Sequence, residues 1–302
     1  MLAGCGAGGS DAPRQQSAET PRSQRISGPA LCARLIARVT GRVRSTGASE
    51  LSGLVLSREQ AGVLWAHNDS GDAPRVLALA TDGAARADLL VPGARNVDWE
   101  DIALAPAAAG RGVLYLGDIG DNAAARSQIA VYSTPEPRLR AGGGVLRGAT
   151  APAQRLTLRY PDGAHDAETL LVDGATDTLT IVTKAYAGNA GVYVVRRQPS
   201  REPVTLRHAA TLSLTPGSAI TAGDVSADGS AVVLRSYERA YVFRRRGAEP
   251  LAHTLRRRPC VAGTDLAGEG QGEALALTSN GRAFYTVPEG GRPAIRRYAP
   301  SP

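Results

Sequence analysis

The chain has few aromatic residues, a single methionine, a single lysine and no long apolar run. Aromatic residues make up 4% of its 302 residues, so a core must be built mainly from Val, Leu and Ala. Without an uninterrupted stretch of 18 apolar residues, the sequence offers no membrane-spanning helix. A hydrophobic content of 43% is nevertheless enough for a folded core.

Positive charge is carried almost wholly by arginine. Of the 35 Lys and Arg residues one is lysine, Lys184, and the net charge is +7. The arginine runs at 244–246 and 256–258 lack interleaved aromatic residues, so we interpret them as a solvated outer face. The sequence therefore predicts no nucleic-acid partner, although a basic exterior would suit a cell-surface polyanion.

Cysteine is also scarce, with three residues. Leu2-Ala3-Gly4-Cys5 matches the bacterial lipobox, so we interpret residues 1–5 as the remnant of a lipoprotein signal and Cys5 as the lipidated residue. Residues 6–30 are rich in Gly, Ser, Pro and Gln and predict a flexible tether. We expect an extracytoplasmic protein, anchored to the bacterial cell membrane by Cys5, with residues 31–302 as its folded domain.

A short, mostly acidic phrase recurs five times, and each copy opens a predicted strand. Its steps are 48, 68, 55 and 50 residues, counted through Ser52, Glu100, Glu168, Gly223 and Glu273. A period of about 40 to 50 residues, filled with short strands and turns, is typical of a β-propeller. The sequence predicts an all-β protein with a single propeller of five blades, and the long second step leaves a sixth blade open.

The two ends of the chain are predicted to meet in the last blade. That blade has three strands of its own, ending with Ala294–Tyr298, and strand Leu35–Thr40 would supply the fourth and close the ring. This closure brings Cys32 near Cys260 and predicts a disulfide, which an exported protein can keep. In the preceding blade, the outer strand is predicted at about Ala252–Leu255.

Acidic residues gather where the first strands begin and the second strands end, at one end of the predicted channel. Carboxylates crowded in this way repel one another unless a cation balances them. Ca²⁺ takes six to eight oxygen ligands, and an all-oxygen set favours it over zinc or copper. The predicted metal ligands are Asn68, Asp69, Asp98, Glu100, Asp118, Asp166, Glu168, Asp224 and Glu273.

Three basic side chains in the same motifs are candidates for chemistry. Lys184 and Arg235 would hold an anionic group, and His67 would move a proton near neutral pH. Pairing of these residues with the acids is a second way to balance the charge. Asp and Asn followed by Gly and Ser also form turns without any ligand, so a purely structural interpretation stays open.

Three phrases carry a resemblance to known proteins. His67–Asp72, Asp98–Ala103 and Gly117–Asn122 resemble those of a group of exported bacterial propellers of mostly uncharacterised function. More distantly, the chain resembles phytase-like and gluconolactonase/paraoxonase-like calcium propellers, over about residues 48–298. The resemblance implies a propeller, export and central calcium. In propeller phytases, acids hold several Ca²⁺ ions while Lys and Arg hold the substrate phosphate.

These observations leave three functions to compare. The first is a monomeric protein whose central Ca²⁺ site binds a small anionic ligand. The second is a Ca²⁺-dependent hydrolase of a phosphoester or a lactone, in which the metal polarises an oxygen or activates water. The third is a structural or protein-interaction scaffold, because propellers host many functions.

Overall fold

A computed structural model describes residue 1 and residues 30–106, 111–140, 142–186, 188–215 and 217–301. Cys5 and nearly all of the expected tether lie outside the described residues, so the lipid anchor stays a prediction. None of the described helices is long and apolar enough to cross a membrane.

The strands form five sheets, which we number as blades I to V. Blade I contains β2 (Leu51–Leu56), β3 (Val63–Asn68), β4 (Arg75–Ala80), β5 (Ala85–Leu90) and β9 (Leu146–Ala149). Blade II contains β6 (Trp99–Pro106), β7 (Gly112–Asp118), β8 (Ile129–Pro135), β10 (Gln154–Arg159) and β14 (Val204–Thr205). Blade III contains β11 (Ala167–Asp173), β12 (Thr178–Thr183), β13 (Gly191–Arg196) and β15 (Arg207–Thr211).

The last two blades have four strands each. Blade IV contains β16 (Ile220–Val225), β17 (Ala231–Ser236), β18 (Ala240–Arg244) and β19 (Cys260–Val261). Blade V contains β20 (Ala274–Leu277), β21 (Phe284–Val287), β22 (Ala294–Pro300) and β1 (Leu35–Arg42). The first strands of the blades contact one another in the cyclic order β2, β6, β11, β16, β20 and back to β2. The predicted all-β, five-bladed propeller is therefore confirmed.

The N-terminal strand closes the ring as predicted. β1 pairs antiparallel with β22, from Leu35 opposite Pro300 to Arg42 opposite Ala294. The pairing covers the outer edge of β22, which would otherwise leave unpaired backbone groups exposed. Strand closure of this kind joins residues from the two ends of the sequence within one sheet.

The described residues of the long second step do not form a sixth blade. Part of it forms β9, which pairs in parallel with the outer strand β5 of blade I. In the same way, β14 pairs in parallel with β10 of blade II. These short strands cover the outer edges of blades I and II, and the described part of the chain contains five blades.

The strand predicted at Ala252–Leu255 was wrong. Residues Leu251–Leu255 form a short helix, α1, that begins after Pro250, and the outer strand of blade IV is β19. Leu251, Ala252, Thr254 and Leu255 are buried, a spacing that fits one face of a helix. Pro250 is the N-cap residue, with φ −55° and ψ 140°, and the chain leaves the extended conformation directly after it.

The predicted disulfide between Cys32 and Cys260 is confirmed, with Cα atoms 5.8 Å apart. It joins the segment that leads into β1 to the outer strand of blade IV. Leu35 also donates a main-chain hydrogen bond to the carbonyl of Gly263, at 2.9 Å. The closing strand is thus fastened to two blades, to blade V by pairing and to blade IV by the disulfide.

We expect the double substitution Cys32→Ser with Cys260→Ser to lower the melting temperature. The cross-link spans 228 residues, and loss of a native disulfide costs about 2–5 kcal/mol of unfolding free energy. Thermal unfolding, with and without reductant, measures the effect. Reductant should destabilise the wild-type protein and leave the double variant unchanged; equal sensitivity of both proteins would contradict this account.

Candidate metal centre at the axial mouth

The first strands place one side chain each around the end of the channel at which they begin, here called the axial mouth. In β6 and β11, Glu100 and Glu168 are the extra residues of β-bulges and have no paired residue on the neighbouring strand. β-Bulges commonly re-aim a side chain beside a functional site. Thr221 forms the corresponding bulge in β16, and Ser52 and Glu273 hold the equivalent places in blades I and V.

A second set of side chains follows the ends of the second strands, at the same mouth. By register, these equivalent positions are occupied by Asp69, Ile119, Lys184, Tyr237 and Glu289. Asp98 and Asp166 come from the loops two residues before Glu100 and Glu168. We call Asp69, Asp98, Glu100, Asp166, Glu168, Glu273 and Glu289 the axial acidic cluster.

Two groups of three carboxylates in this cluster have the spacing of a cation site. One oxygen from each of Asp69, Glu100 and Glu273 lies within 4.8 Å of the others, and the same holds for Glu100, Asp166 and Glu168. Glu100 belongs to both triads. Glu168 is only 1% exposed, and its Oε2 atom has no hydrogen-bond partner in the structure.

Lys184 bridges the two triads. Its Nζ atom lies 2.5 Å from Oε1 of Glu168 and 3.7 Å from Oε1 of Glu273. Tyr237 donates a hydrogen bond of 2.7 Å to the same oxygen of Glu273, and its ring centroid lies 5.8 Å from the ammonium. One positive charge therefore faces several carboxylates.

Burial and mutual repulsion raise the pKa of several acids at the mouth. Burial, followed by repulsion from Glu168, raises the pKa of Glu100 far above its usual value. The pKa of Asp98 rises to about 6 through burial and the neighbouring Asp69, and that of Glu289 rises to about 8 through burial and its contact with Glu273. Each of these carboxyls is thus easier to keep protonated in the folded protein than in water.

For Lys184, the neighbouring charges outweigh the effect of burial on the pKa. Burial alone would lower the pKa of this ammonium, but the carboxylates of Glu168 and Glu273 outweigh it and hold the pKa above the usual value. Lys184 is therefore charged at neutral pH and neutralises part of the cluster.

Gly120 leaves space for the carboxylates of Glu100 and Asp98, which a larger residue at this position would fill. A Cβ atom on Gly120 would lie 2.1 Å from Oε1 of Glu100 and 2.6 Å from the carboxylate of Asp98. The backbone amide of Gly120 donates to the carbonyl of Asp98, and that of Asp121 donates to Oδ1 of Asp166, at 2.9 Å. This loop packs its backbone directly against three members of the cluster.

Three predicted ligands lie apart from the two triads and have other partners. Asn68 bonds the carbonyl of Gly47 and the carboxylate of Asp72, both at 2.6 Å. Asp118 forms an ion pair of 2.8 Å with Arg126. Asp224 accepts the amides of two residues, one of them in blade V, and so links neighbouring blades.

Two of the three predicted chemical residues are buried away from the mouth. By register, His67 and Arg235 occupy equivalent positions, two residues before Asp69 and Tyr237. The His67 ring packs edge-on to Trp99, and burial lowers its pKa to about 4, so it is neutral at pH 7. Arg235 is fully buried and pairs with Glu269 at 3.0 Å.

Sequence reasoning missed Tyr237 and Thr221. The phrase starting at Ala222 was aligned so that Gly223 matched Glu100, whereas the strand register matches Thr221 to it. The signal that would have found Tyr237 is the position of Lys184: it follows Thr183 at the end of β12, just as Tyr237 follows Ser236 at the end of β17. Thr221 is recognised only from the register shift between Ile220 and Ala222.

Comparison with solved structures supports the fold. A gluconolactonase from Xanthomonas campestris superposes with a TM-score of 0.50 at 14% identity, covering 91% of this chain and 94% of that chain. A candidate 6-phosphogluconolactonase from Bacteroides uniformis gives a TM-score of 0.42 at 12% identity, over 86% and 74% of the two chains. No protein-family model and no curated sequence matches the chain. At 14% identity, the likeness to the gluconolactonase shows the fold alone.

We expect the metal-free protein to lose stability as pH rises from 7 to 9, a range above the titration of His67, whose lowered pKa acts in the opposite direction at lower pH. The acids with raised pKa values bind protons in the folded state that the unfolded state has already released, so protonation favours folding. That stabilisation is complete below the unfolded values near 4 and is lost as pH rises through about 6 for Asp98 and about 8 for Glu289.

Urea denaturation in chelator at pH 7 and 9 checks this expectation. The substitution Glu289→Gln should make the decline between pH 7 and 9 shallower. An unfolding free energy that stays constant over this range would mean that the repulsion at the mouth is already balanced.

Proposed function

We propose that the protein is an exported propeller that binds Ca²⁺ at the axial acidic cluster and, with it, a small anionic ligand. The observation that supports this most directly is the shared position of Glu100 in two carboxylate triads, one of which includes the buried Glu168, whose Oε2 atom has no hydrogen-bond partner. A buried carboxylate oxygen without a partner is costly, and a cation at that point would satisfy it.

The residues at the mouth fit a hard divalent cation. Both triads consist of carboxylates alone, and a loose set of oxygen atoms suits Ca²⁺ better than zinc or copper. We assign Glu100, Asp166 and Glu168 as the principal ligands, with Asp69 and Glu273 on the other side of Glu100. Such a cation would supply an electrophilic centre for a carbonyl or phosphoryl oxygen.

The anionic ligand would meet side chains of blades III and IV. The Lys184 ammonium and the Tyr237 hydroxyl border the triads, and both are suited to a carboxylate or phosphate group. His67 and Arg235, which the sequence also suggested, lie too deep in the blades to contact such a ligand directly.

Export is supported by the disulfide. Cys32 and Cys260 are bonded, and disulfides persist mainly in oxidising compartments outside the cytoplasm. Extracellular calcium sites need only weak affinity, with Kd values on the order of 10⁻⁴–10⁻³ M.

Hydrolysis of a lactone is the second candidate function. It is favoured by the fold likeness to the gluconolactonase from X. campestris and by the position of Asp98. Asp98 is half-buried beside Glu100, and its pKa of about 6 suits a general base near neutral pH. In this hypothesis Asp98 would take the proton of the attacking water, and Lys184 would bind the carboxylate product.

We expect Ca²⁺ to raise the melting temperature of chelator-treated protein, because it binds only the folded state. The rise should exceed that with Mg²⁺ at the same ionic strength, because Mg²⁺ demands near-ideal octahedral geometry and a loose carboxylate set does not supply it. Glu100→Gln should abolish this shift, since Glu100 serves both triads. It should also stabilise the metal-free protein at neutral pH, because glutamine is neutral without the proton that Glu100, with its raised pKa, must take up on folding.

The matched control is Glu238→Gln, which makes the same charge change at an exposed residue of the same mouth outside both triads. This variant should keep the full shift. An identical response in all three proteins would contradict calcium binding at the cluster.

We expect Asp98→Asn to lower kcat for D-glucono-δ-lactone by about 100-fold or more if Asp98 is the general base. The measurement is acid release in Ca²⁺-containing buffer, corrected for spontaneous hydrolysis, with Glu238→Gln as the control. Absence of turnover above the spontaneous rate in the wild-type protein would leave ligand binding as the function and remove the lactonase hypothesis.

A further inference from the structure

Lys184 lies between the two carboxylate triads of the mouth and contacts both. It is the only lysine in the chain, and its ammonium contacts Glu168 of one triad and Glu273 of the other. Among the described residues, it is the only basic side chain that forms an ion pair with a member of either triad. Arg126 and Arg235, the nearby arginines, are paired with Asp118 and Glu269 instead.

We propose that Lys184 couples the binding of the metal to the binding of an anion: a cation on Glu168 releases the ammonium from its carboxylate partner, and the freed ammonium binds a carboxylate or phosphate of the ligand. This inference rests on the proposed function, because it requires a metal at the triad of Glu100, Asp166 and Glu168.

The first step of the argument is electrostatic. Oε1 of Glu168 holds the ammonium at 2.5 Å, while Oε2 of the same carboxylate is the unpaired atom. A divalent cation bound by Glu168 would therefore lie on the carboxylate that already holds Lys184. Two positive charges on one carboxylate repel, so the metal weakens the ion pair and the ion pair weakens metal binding.

The second step is the reach of the side chain. The main-chain amide of Lys184 donates to the carbonyl of Asp166 at 3.0 Å, which fixes the start of the side chain beside the same triad. The four-carbon stem is flexible beyond that point, and its ammonium already lies against the ring of Tyr237. A small shift turns the ammonium away from Glu168 without loss of the contact with Tyr237.

The third step is thermodynamic. An anion that contacts both the bound metal and the ammonium removes the repulsion between them. Metal and anion must then increase each other's affinity by the same factor, because coupling free energies are reciprocal. The site therefore selects ligands with a carboxylate or phosphate group over neutral ligands of the same shape.

The test is calorimetric titration of chelator-treated protein with Ca²⁺, with and without saturating methylphosphonate, a small dianion with a soluble calcium salt. In the wild-type protein, we expect the dianion to lower the Kd for Ca²⁺ by about 5- to 10-fold. In Lys184→Met, Ca²⁺ alone should bind several-fold more tightly than to wild type, and the dianion should lower the Kd by a smaller factor, because only its contact with the metal remains.

Arg282→Gln is the matched control, since it removes one positive charge from an exposed turn at the opposite end of blade V. It should retain the wild-type coupling. Lys184→Gln is titrated in parallel, so that a folding defect of one variant, seen by circular dichroism, does not decide the result.

Weaker Ca²⁺ binding to both Lys184 variants, or coupling of undiminished size in them, would overturn the inference and leave calcium binding intact. Absence of Ca²⁺ binding to the wild-type protein would overturn the proposed function itself. Tighter Ca²⁺ binding in the variants together with reduced coupling is the expected result.

Discussion

Repulsion among the carboxylates of the axial mouth is the interaction on which the interpretation of this protein depends. The repulsion follows from the propeller fold, because equivalent positions of the five blades converge on one channel and several of these positions are acidic. Glu100 and Glu168 are almost fully buried, so water cannot screen them well. The folded protein can relieve this repulsion by holding protons, by pairing with Lys184 or by binding a cation, and these three options compete.

The ring is stabilised by apolar packing and hydrogen bonds between neighbouring blades, below the mouth. Apolar residues fill the interfaces between neighbouring blades, with Trp65 and Trp99 fully buried between blades I and II. Asp101 and Asp224 accept main-chain amides from Leu170 and Leu277 of the following blade. Because these deeper carboxylates hold the blades together, the acids above them are available for a ligand.

The sequence could predict the fold because the repeat, the missing strand of the last blade and the two cysteines pointed to the same closed ring. From the repeat alone, it predicted that Glu100, Glu168 and Glu273 lie at the mouth. It also placed Arg235 and Asp224 at the mouth, whereas Arg235 is fully buried against Glu269 and Asp224 accepts two main-chain amides. The β-bulges that set the strand register leave no mark on composition or spacing, so the sequence could not reveal these partners. The helix at Leu251–Leu255 was missed because five apolar and polar residues fit a short strand equally well.

The disulfide decides where mechanical force would enter the propeller. A pull on the segment that precedes Cys32 reaches the covalent link to Cys260 before it reaches β1. The load then passes into blade IV, and the hydrogen bonds between β1 and β22 are not peeled apart one at a time from their exposed end. A domain held by a tether at this end would resist tension along the tether without opening the blade that closes its ring.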